Sequence, residues 1–389
     1  MHTPITLRIL TLVLCILMLC FAAQAEDARF SLEDSGLDLG IHSIHFPRFS
    51  EQSAEDDSLV QDINTLLDHA LHSRDLTARL ASVLSSPVPL ISTWDGALYQ
   101  DLLFAHLHVA GPIRRDFAES ADYSVLIDLA TRSVVPLSAF FQHPEDALSV
   151  LGEKLEWEIA PTLSPHLINA EILPLPETYG VSPWSVTLYY PASQLMTLSG
   201  NAGQIRFYWF ELKDLLDLSE GSPAAQLGVD SGYTLDSSSV DGIRASVETG
   251  AFPSVPVKLG DALKDLVSEY PLLHDPDNIT GARLFELEGA AMQNVQLITD
   301  DLYVNDYENS VVQGIRADVM CLYGLCTGET TQEEWRRVLG EPDSTVALDA
   351  ASAELVRLVP GTSDYYAFGS HMLRLHADEQ NILQSIMIQ

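Results

Sequence analysis

An apolar run near the start of the chain constrains its fold more than any other feature. The run extends from Ile9 to Ala23 and ends in the small-x-small pattern Ala23-Gln24-Ala25. Because this pattern is typical of a cleaved export signal, we expect residues 1–25 to be a signal peptide and Glu26 to begin the mature chain. An uncleaved anchor is the alternative interpretation.

The rest of the chain has no second apolar run of this kind. A membrane helix needs about 20 apolar residues, so we expect no membrane span after cleavage. The mature protein is then expected to be secreted or extracellular and associated with the cell envelope. At about 150 residues per domain, the remaining residues suffice for two or three domains, each with its own core.

The charge of the chain is strongly unbalanced, with 55 acidic and 20 basic residues and a net charge of −35. Such a chain repels phosphate backbones and anionic membrane surfaces. Nucleic acid is therefore excluded as an expected partner. A basic protein or a cation is a plausible partner, but solubility outside the cell is the preferred explanation of the charge.

The stretch "TTQEEWRRVLGEPD" resembles an enzyme signature but predicts a helix with well-formed ends. Thr331 and Glu334 have the spacing of a capping box, in which each side chain bonds the backbone of the other. Trp335 begins an apolar face, Gly340 suits a left-handed position after the helix, and Pro342 ends it. We therefore assign this stretch a structural role.

Helices beside antiparallel strands are predicted for the first part of the chain. The segment "DDSLVQDINTLLDHALHSRD" has apolar residues at helical spacing, while "YQDLLFAHLHVAG" and "YSVLIDLAT" have the residue types of strands. The predicted fold class is α+β, with helices packed on antiparallel sheets. Two domains, 26–218 and 255–389, are expected on either side of a Ser/Gly-rich linker, 219–254.

Two motifs in the first domain carry a family resemblance. "LIDLATRSVVPLSAFF" and "VTLYYPASQLMTLSGNAGQIRFYWFELKDLL" resemble the extracellular domain of RsiV-type anti-sigma factors over roughly residues 41–216. The resemblance implies an α+β fold outside the membrane and, in the anti-sigma members, binding of lysozyme. Only eight residues precede the apolar run, so we expect the fold without a cytoplasmic sigma-binding segment.

The second domain has a possible internal repeat. "LGDALKDLVSEYPLLHDPD" and "TGETTQEEWRRVLGEPDST" each combine an amphipathic helix with a Pro-marked turn, and strand-like segments follow both. Such units are similar to the YjgB-type domain of secreted proteins, and more distantly to the lipoprotein BamE and the tandem-repeat β-lactamase inhibitor protein. This resemblance implies surfaces that bind partner proteins and no shared catalytic residues.

Two cysteines remain after the leader, Cys321 and Cys326 in "MCLYGLCTG". Their close spacing around Gly324 in an oxidising compartment predicts a disulfide. Four residues separate them, whereas a thioredoxin-type redox motif has two.

Histidine pairs and one acidic loop were considered as metal sites. The pairs His42/His45, His69/His72 and His106/His108 lack further Cys or His ligands nearby, so we predict no zinc site. The loop "DPDNITGARLFE" places Asp275, Asp277 and Glu286 at calcium-ligand spacing, but Thr280 occupies the position where an EF-hand needs glycine. We predict no metal and no cofactor.

No catalytic constellation is predicted. The chain has no G-x-S-x-G motif, and neither His371 nor His376 has a recognisable nucleophile as partner. Paired carboxylates of a glycosidase need only meet in space, so a glycan hydrolase stays open as an alternative. The aromatic residues of "PWSVTLYY" and "IRFYWF" could stack on carbohydrate, but core packing is the preferred interpretation.

These features favour a secreted, non-catalytic envelope protein that recognises a protein or a cell-wall component. A basic, lysozyme-like partner fits the charge of the chain. The alternatives are a glycan hydrolase that uses paired carboxylates and a structural accessory of an envelope assembly.

Overall fold

The computed structural model describes residues 30–51, 57–114, 117–154, 176–191, 203–229, 233–270, 272–273, 277–279, 282–287, 292–299 and 309–389. These residues form helices and several antiparallel sheets, so the fold class is α+β as predicted. The expected signal peptide lies outside the described residues. No helix among those described is long and apolar enough to cross a membrane.

The first sheet has six strands in the order β1 to β6. The strands are β1 (Phe30–Leu39), β2 (His42–Glu51), β3 (Ile91–Tyr99), β4 (Leu102–Arg114), β5 (Phe117–Asp128) and β6 (Ser133–Val134). Helices α1 (Asp57–Ala70) and α2 (Ser73–Val83) connect β2 to β3. The predicted helix and the two predicted strands of this region are confirmed as α1, β4 and β5.

Strands β4 and β5 are buried on both faces, since alternate residues of a strand point in opposite directions. On one face Leu103, Leu107 and Ile127 join a core with α1 and α2. On the other face Leu102 and Leu126 join a second core. The second core includes a three-stranded sheet of β7 (Tyr179–Val181), β8 (Ser185–Tyr189) and β9 (Gln204–Tyr208).

Short helices complete the second core. They are the 3-10 helices Leu137–Phe140 and Trp209–Leu215, with helix α3 (Pro144–Lys154) between them in the sequence. Phe140 stacks on Trp209 with ring centroids 5.2 Å apart. Most of the aromatic strand residues are buried here or in the third core, including Phe207 and Trp209 at 0% exposure. Core packing of these aromatic residues is therefore confirmed.

The segment predicted as a linker is folded. Residues 219–254 contain helices α4 (Pro223–Gln226) and α5 (Ser239–Thr249). Ala224 is buried in the second core, whereas Ile243 and Val247 are buried in the third. The polar composition of this segment suggested an extended excursion, but apolar residues four positions apart give α5 one buried face.

The third core lies under an eight-stranded sheet with the order β10-β11-β12-β13-β19-β18-β17-β16. The strands are β10 (Asp277–Ile279), β11 (Ala282–Phe285), β12 (Val295–Thr299), β13 (Gly314–Ala317), β16 (Ser344–Leu348), β17 (Gly361–Phe368), β18 (His371–Asp378) and β19 (Leu383–Ile388). Helix α6 (Leu263–Glu269) precedes the first four strands and α7 (Gln332–Leu339) the last four. A third helix, α8 (Ala350–Leu355), follows β16.

Helix α7 has the predicted ends. The Thr331 hydroxyl accepts a hydrogen bond from the Glu334 amide, and the Glu334 carboxylate accepts one from the Thr331 amide. Trp335 is fully buried. Gly340 ends the helix with a φ of 87°, a positive value that favours glycine as predicted, but its ψ of −170° lies outside the left-handed helical region.

Candidate functional site

The first sheet divides between β2 and β3. The two strands pair at Ser43 and Ile91, which is their one described register pair. Farther along β2, Asn64 of α1 takes the place of a neighbouring strand. The Phe49 amide donates to Asn64 Oδ1 at 3.0 Å, and Asn64 Nδ2 donates to the Phe49 carbonyl at 2.8 Å. At Phe49 the backbone of β2 is therefore hydrogen-bonded to α1 and not to β3.

A cavity of about 210 Å³ lies where β1 and β3 approach each other. Most of the side chains that line it are apolar. The lining residues are Phe30, Ser31, Leu32, Phe49, Trp94, Gly96, Ala97, Leu98 and Leu103. Leu32 lies over Gly96, where a Cβ atom would be 2.5 Å from Leu32 Cδ1. Glycine at position 96 therefore permits the close approach of β1 that forms this cavity.

Carboxylates lie beside the cavity on β1. Asp34 accepts a hydrogen bond from Trp94 Nε1 at 2.6 Å and contacts His45 Nδ1 at 2.6 Å. Asp38 accepts from Ser43 Oγ at 2.5 Å and lies 3.3 Å from His45 Nε2. The hydrogen bonds from Trp94 and His45 lower the pKa of Asp34, and those from Ser43 and His45 lower the pKa of Asp38. Both groups are therefore anionic at neutral pH.

His45 is shared by these two carboxylates. Its hydrogen bonds to Asp34 and then Asp38 raise the pKa of the imidazole above its usual value. A protonated His45 neutralises part of the negative charge on this side of β1. The remaining described partners of Glu33, Asp34 and Asp38 are Ser43, Ser50 and Trp94, and none of them is lysine or arginine.

Strand β1 has a free edge. It pairs with β2 from Phe30 to Leu39, and no other described strand pairs with its second edge. Residues 33–39 are exposed, and Leu37 retains 48% of its accessible surface. A free edge presents unpaired N–H and C=O groups that can bind an extended chain. This edge, together with the cavity and the carboxylates of β1, is the candidate site, here named the β1 cleft.

His106 and His108 converge on Asp122 on the opposite side of the first sheet. Asp122 Oδ1 lies 3.0 Å from His106 Nε2 and 2.9 Å from His108 Nδ1, and Asp122 Oδ2 accepts from Gln204 at 3.1 Å. His106 also stacks on Tyr189 with ring centroids 4.8 Å apart. The cluster thereby joins β4 and β5 to β8 and β9.

Opposing effects set the charges in this cluster. Burial lowers the pKa of His106, but hydrogen bonds to Asp122 and Asp95 outweigh it and raise the pKa to about 9. Burial likewise raises the pKa of Asp122, but hydrogen bonds from His106 and His108 bring it well below its usual range. An imidazolium paired with a carboxylate is a poor base and a poor nucleophile, so we interpret the cluster as structural.

The remaining polar clusters are buried in the third sheet. Asp364 is fully buried and accepts two hydrogen bonds of 2.7 Å from the guanidinium of Arg336, and a third from Trp335 Nε1. Ser363 Oγ lies 2.9 Å from His376 Nδ1, although the sequence suggested no serine partner for His376. Ser363 and His376 are 0% and 1% exposed, so no substrate reaches this pair.

The other candidates from the sequence are dispersed. His42 is buried, and its Nδ1 accepts from the Leu90 amide. His72 packs on Tyr123 with ring centroids 4.9 Å apart. Asp277 lies on β10 and forms an ion pair with Arg357, while Asp275 lies outside the described residues. Within the described ranges, no group of three His, Cys, Asp or Glu side chains is arranged to hold a metal ion.

Cys321 and Cys326 form a disulfide. They are opposite partners in the hairpin of β14 (Cys321–Leu322) and β15 (Leu325–Cys326), with Cα atoms 4.0 Å apart. Both cysteines are buried in the third core. Gly324 has a φ of 87° in the turn, and Tyr323 packs edge-on against Trp184, the residue before β8.

The sequence did not reveal the β1 cleft. Asp34, Trp94 and Asp122 carried no local signal, because each acquires its role from partners on another strand. The Trp94–Asp34 hydrogen bond joins residues 60 positions apart. Three acidic residues and the absence of lysine and arginine between Phe30 and Leu39 are the signs in the sequence of an acidic strand.

Comparison with known proteins gives distant structural neighbours. No protein-family model matches the sequence, and no curated protein is similar to it. A DUF3298 family protein from Pseudomonas aeruginosa PAO1 has 11% identity and a TM-score of 0.34, covering 48% of this chain and 94% of the other. A DUF3298 member from Bacteroides fragilis has 11% identity and a TM-score of 0.31, covering 48% and 93%.

A third neighbour is the DUF4309 family protein YjgB from Bacillus subtilis, with 10% identity and a TM-score of 0.27. The alignment covers 40% of this chain and 97% of YjgB. The structural neighbours thus include a protein of the YjgB type. The resemblances to RsiV-type anti-sigma factors, BamE and the β-lactamase inhibitor protein stay predictions. We draw no functional conclusion from similarities of this size.

Proposed function

We propose that this chain is an exported, non-catalytic protein of the cell envelope that binds a basic polypeptide at the β1 cleft. The observation that carries the proposal is the free edge of β1, which is exposed from Glu33 to Leu39 and has three carboxylates and no lysine or arginine. Arg48 lies opposite Glu33 on β2, but its guanidinium pairs with Asp68 at 2.9 Å. An extended segment of the partner can add to this edge as a further strand. Its backbone would then form main-chain hydrogen bonds with β1, and the side chains beside β1 would select the partner's sequence.

Charge favours a basic partner over the alternatives. Glu33, Asp34 and Asp38 lie on this one strand, in a chain with a net charge of −35. A basic segment would exchange its hydration for charge-assisted contacts with these carboxylates and would be steered to them over a distance. A cell-wall glycan without positive charge would gain neither effect.

The pKa shifts give no support to a glycan hydrolase. Such an enzyme needs a carboxylic acid whose pKa is raised so that it can donate a proton. Among the described carboxyl groups with a shifted pKa, the shift is downward, as for Asp34, Asp122 and Asp364. These groups are committed to hydrogen bonds and ion pairs within the fold.

The test is binding of the full chain to a basic protein, with lysozyme as the probe, at about 0.05 M and about 0.5 M salt. We expect binding that weakens at high salt, together with slower hydrogen exchange of the amides between Glu33 and Leu39. The variant Glu33→Lys should bind about two- to fivefold more weakly. The matched control Glu354→Lys, on exposed helix α8, should bind like the wild type.

Salt-insensitive binding, or equal effects of the two substitutions, would contradict the assignment of the β1 edge. Failure to bind either lysozyme or any basic peptide would reject the proposed function itself. Retention by purified cell-wall glycan in the same assay would instead favour the wall-component alternative.

A further inference from the structure

We infer that the cavity of the β1 cleft receives one apolar side chain of the bound basic segment. This inference rests on the proposed function and specifies the ligand. The ligand would be an extended basic segment with a single apolar anchor, and the anchor would have the size of leucine or phenylalanine.

The volume of the cavity sets the size of its occupant. Pockets for drug-sized ligands and cofactors measure about 300–1,000 Å³. The cavity here is smaller, at about 210 Å³. An engineered apolar cavity of about 150 Å³ in another protein holds benzene. The space therefore suits one aliphatic or aromatic side chain and is too small for a cofactor or an oligosaccharide.

The walls of the cavity select an apolar occupant. Ser31 supplies the one side-chain hydroxyl of the lining, and that hydroxyl already bonds Ser50 Oγ at 2.8 Å. Trp94 Nε1 is engaged by Asp34 outside the lining. The lining side chains therefore offer a sugar ring no free hydrogen-bonding group, and its hydroxyls would lose hydrogen bonds to water. An apolar side chain gains free energy from the same surface.

The position of the cavity relative to the carboxylates predicts a sequence pattern in the ligand. Leu32 lines the cavity, and Asp34 lies two positions farther along the same strand. Alternate residues of a strand point to the same face, about 6.8 Å apart. A strand added beside β1 would therefore place an anchor and a basic residue on that face when they are two positions apart. The expected pattern is apolar-x-basic in either chain direction.

The charge of the cleft distinguishes a peptide anchor from a free apolar molecule. An uncharged small molecule would fill the cavity but would gain nothing from Glu33, Asp34 and Asp38 on the same strand. A segment that carries both groups uses the cavity and the carboxylates together. Because the two contributions come from one ligand, the affinity should fall when either is removed.

The experiment measures binding of synthetic extended peptides to the full chain by calorimetry. One peptide carries leucine two positions from a lysine, a second has serine in place of leucine, and a third places the two residues next to each other. We expect the serine peptide to bind about tenfold more weakly than the first. The adjacent arrangement should show a similar loss.

Matched variants locate the effect. Leu98→Trp, at a lining residue that pairs with Leu103, fills the cavity and should abolish the preference for leucine over serine. Thr93→Trp, on the same strand but outside the lining, should retain the preference. Thermal unfolding reports whether each variant is folded. If Leu98→Trp does not fold, Leu98→Ala serves in its place, because enlarging the cavity should shift the preference from leucine to phenylalanine.

The outcomes separate this inference from the proposed function. Equal affinity for the leucine and serine peptides, with salt-sensitive binding of both, would overturn the anchor while leaving the basic partner in place. Binding of none of the peptides, and of no basic protein, would overturn both. Displacement of the leucine peptide by free benzene supports the cavity as the anchor site; benzene binding without displacement makes it a separate small-molecule site and overturns the inference.

Discussion

Asn64 holds the backbone of Phe49 by two hydrogen bonds, so a helix side chain replaces a neighbouring strand where the first sheet opens. This arrangement satisfies the edge of β2 without closing the gap to β3. The β1 cleft forms because Asn64 holds the β1–β2 hairpin at Phe49, where β2 does not pair with β3.

Replacing Asn64 should therefore destabilise the hairpin. Asn64→Ala leaves a partly buried amide and carbonyl of Phe49 without partners, and we expect a loss of about 1–3 kcal/mol in the free energy of unfolding. Urea denaturation measures it. Thr65→Ala is the control, because Thr65 is exposed and its hydroxyl donates only to the Gln61 carbonyl of the same helix, so its loss should change little. Equal stability of both variants would contradict the role of Asn64.

The cluster around Asp122 should make stability fall at alkaline pH. The pKa of His106 is raised from 6.5 to about 9, so its contribution is complete below about pH 6.5 and is lost as pH rises through about 9. Asp122→Asn should remove most of this dependence, at a cost of roughly 1–3 kcal/mol at neutral pH. Denaturation at several pH values and NMR titration of the imidazoles measure the effect.

Asp101→Asn, in an exposed turn beyond β3, is the control for this experiment. It should retain the wild-type pH profile. A His106 that titrates near pH 6.5 in the wild type would show that Asp122 and Asp95 do not stabilise its charge.

The Arg336–Asp364 pair should contribute to stability rather than to binding. Arg336→Leu leaves the fully buried Asp364 without its bidentate partner, and breaking a buried pair in this way costs about 3–5 kcal/mol. Arg337→Leu, one position along and exposed, should change stability by less than about 0.5 kcal/mol. Thermal unfolding distinguishes the two, and similar melting temperatures would refute the buried role.

Binding of a basic segment should strengthen as His45 loses its proton. Protonated His45 occupies Asp34 and Asp38, and its pKa is raised by them. Above that pKa both carboxylates are available to a lysine or arginine of the ligand. His45→Gln should remove the pH dependence of affinity, as measured by calorimetry across the titration. A dependence that persists in this variant would have to come from other groups.

Local signals in the sequence predicted the elements that depend on local interactions. The ends of α7 follow from Thr331, Glu334 and Gly340, because capping involves residues within one turn. Strand β4 was visible through its residue types. The spacing of His106 and His108 predicts that both lie on one face of a strand. Their structural role depends on the contact with Asp122, which is 16 positions from His106.

The β1 cleft could not be predicted in the same way. The sequence of β1, "FSLEDSGLDL", does not alternate regularly between apolar and polar residues, because most of the strand is exposed. The cavity depends on Gly96 of β3, which leaves space for Leu32 of β1. The spacing of apolar residues along the sequence does not predict this contact. In residues 219–254 the abundance of serine and glycine predicts a linker, whereas the spacing of Ile243 and Val247 gives helix α5 its buried face.

The order of strands in the third sheet has a kinetic consequence. Strand β19 lies between β13 and β18, and Ile388 pairs with both Ile315 and Leu373. The two groups of strands are therefore joined through the last strand in sequence. Pairings this distant along the chain form slowly, because a long loop must close first. Hydrogen exchange labelling during refolding should find the amides of β13 protected late, after those of α7.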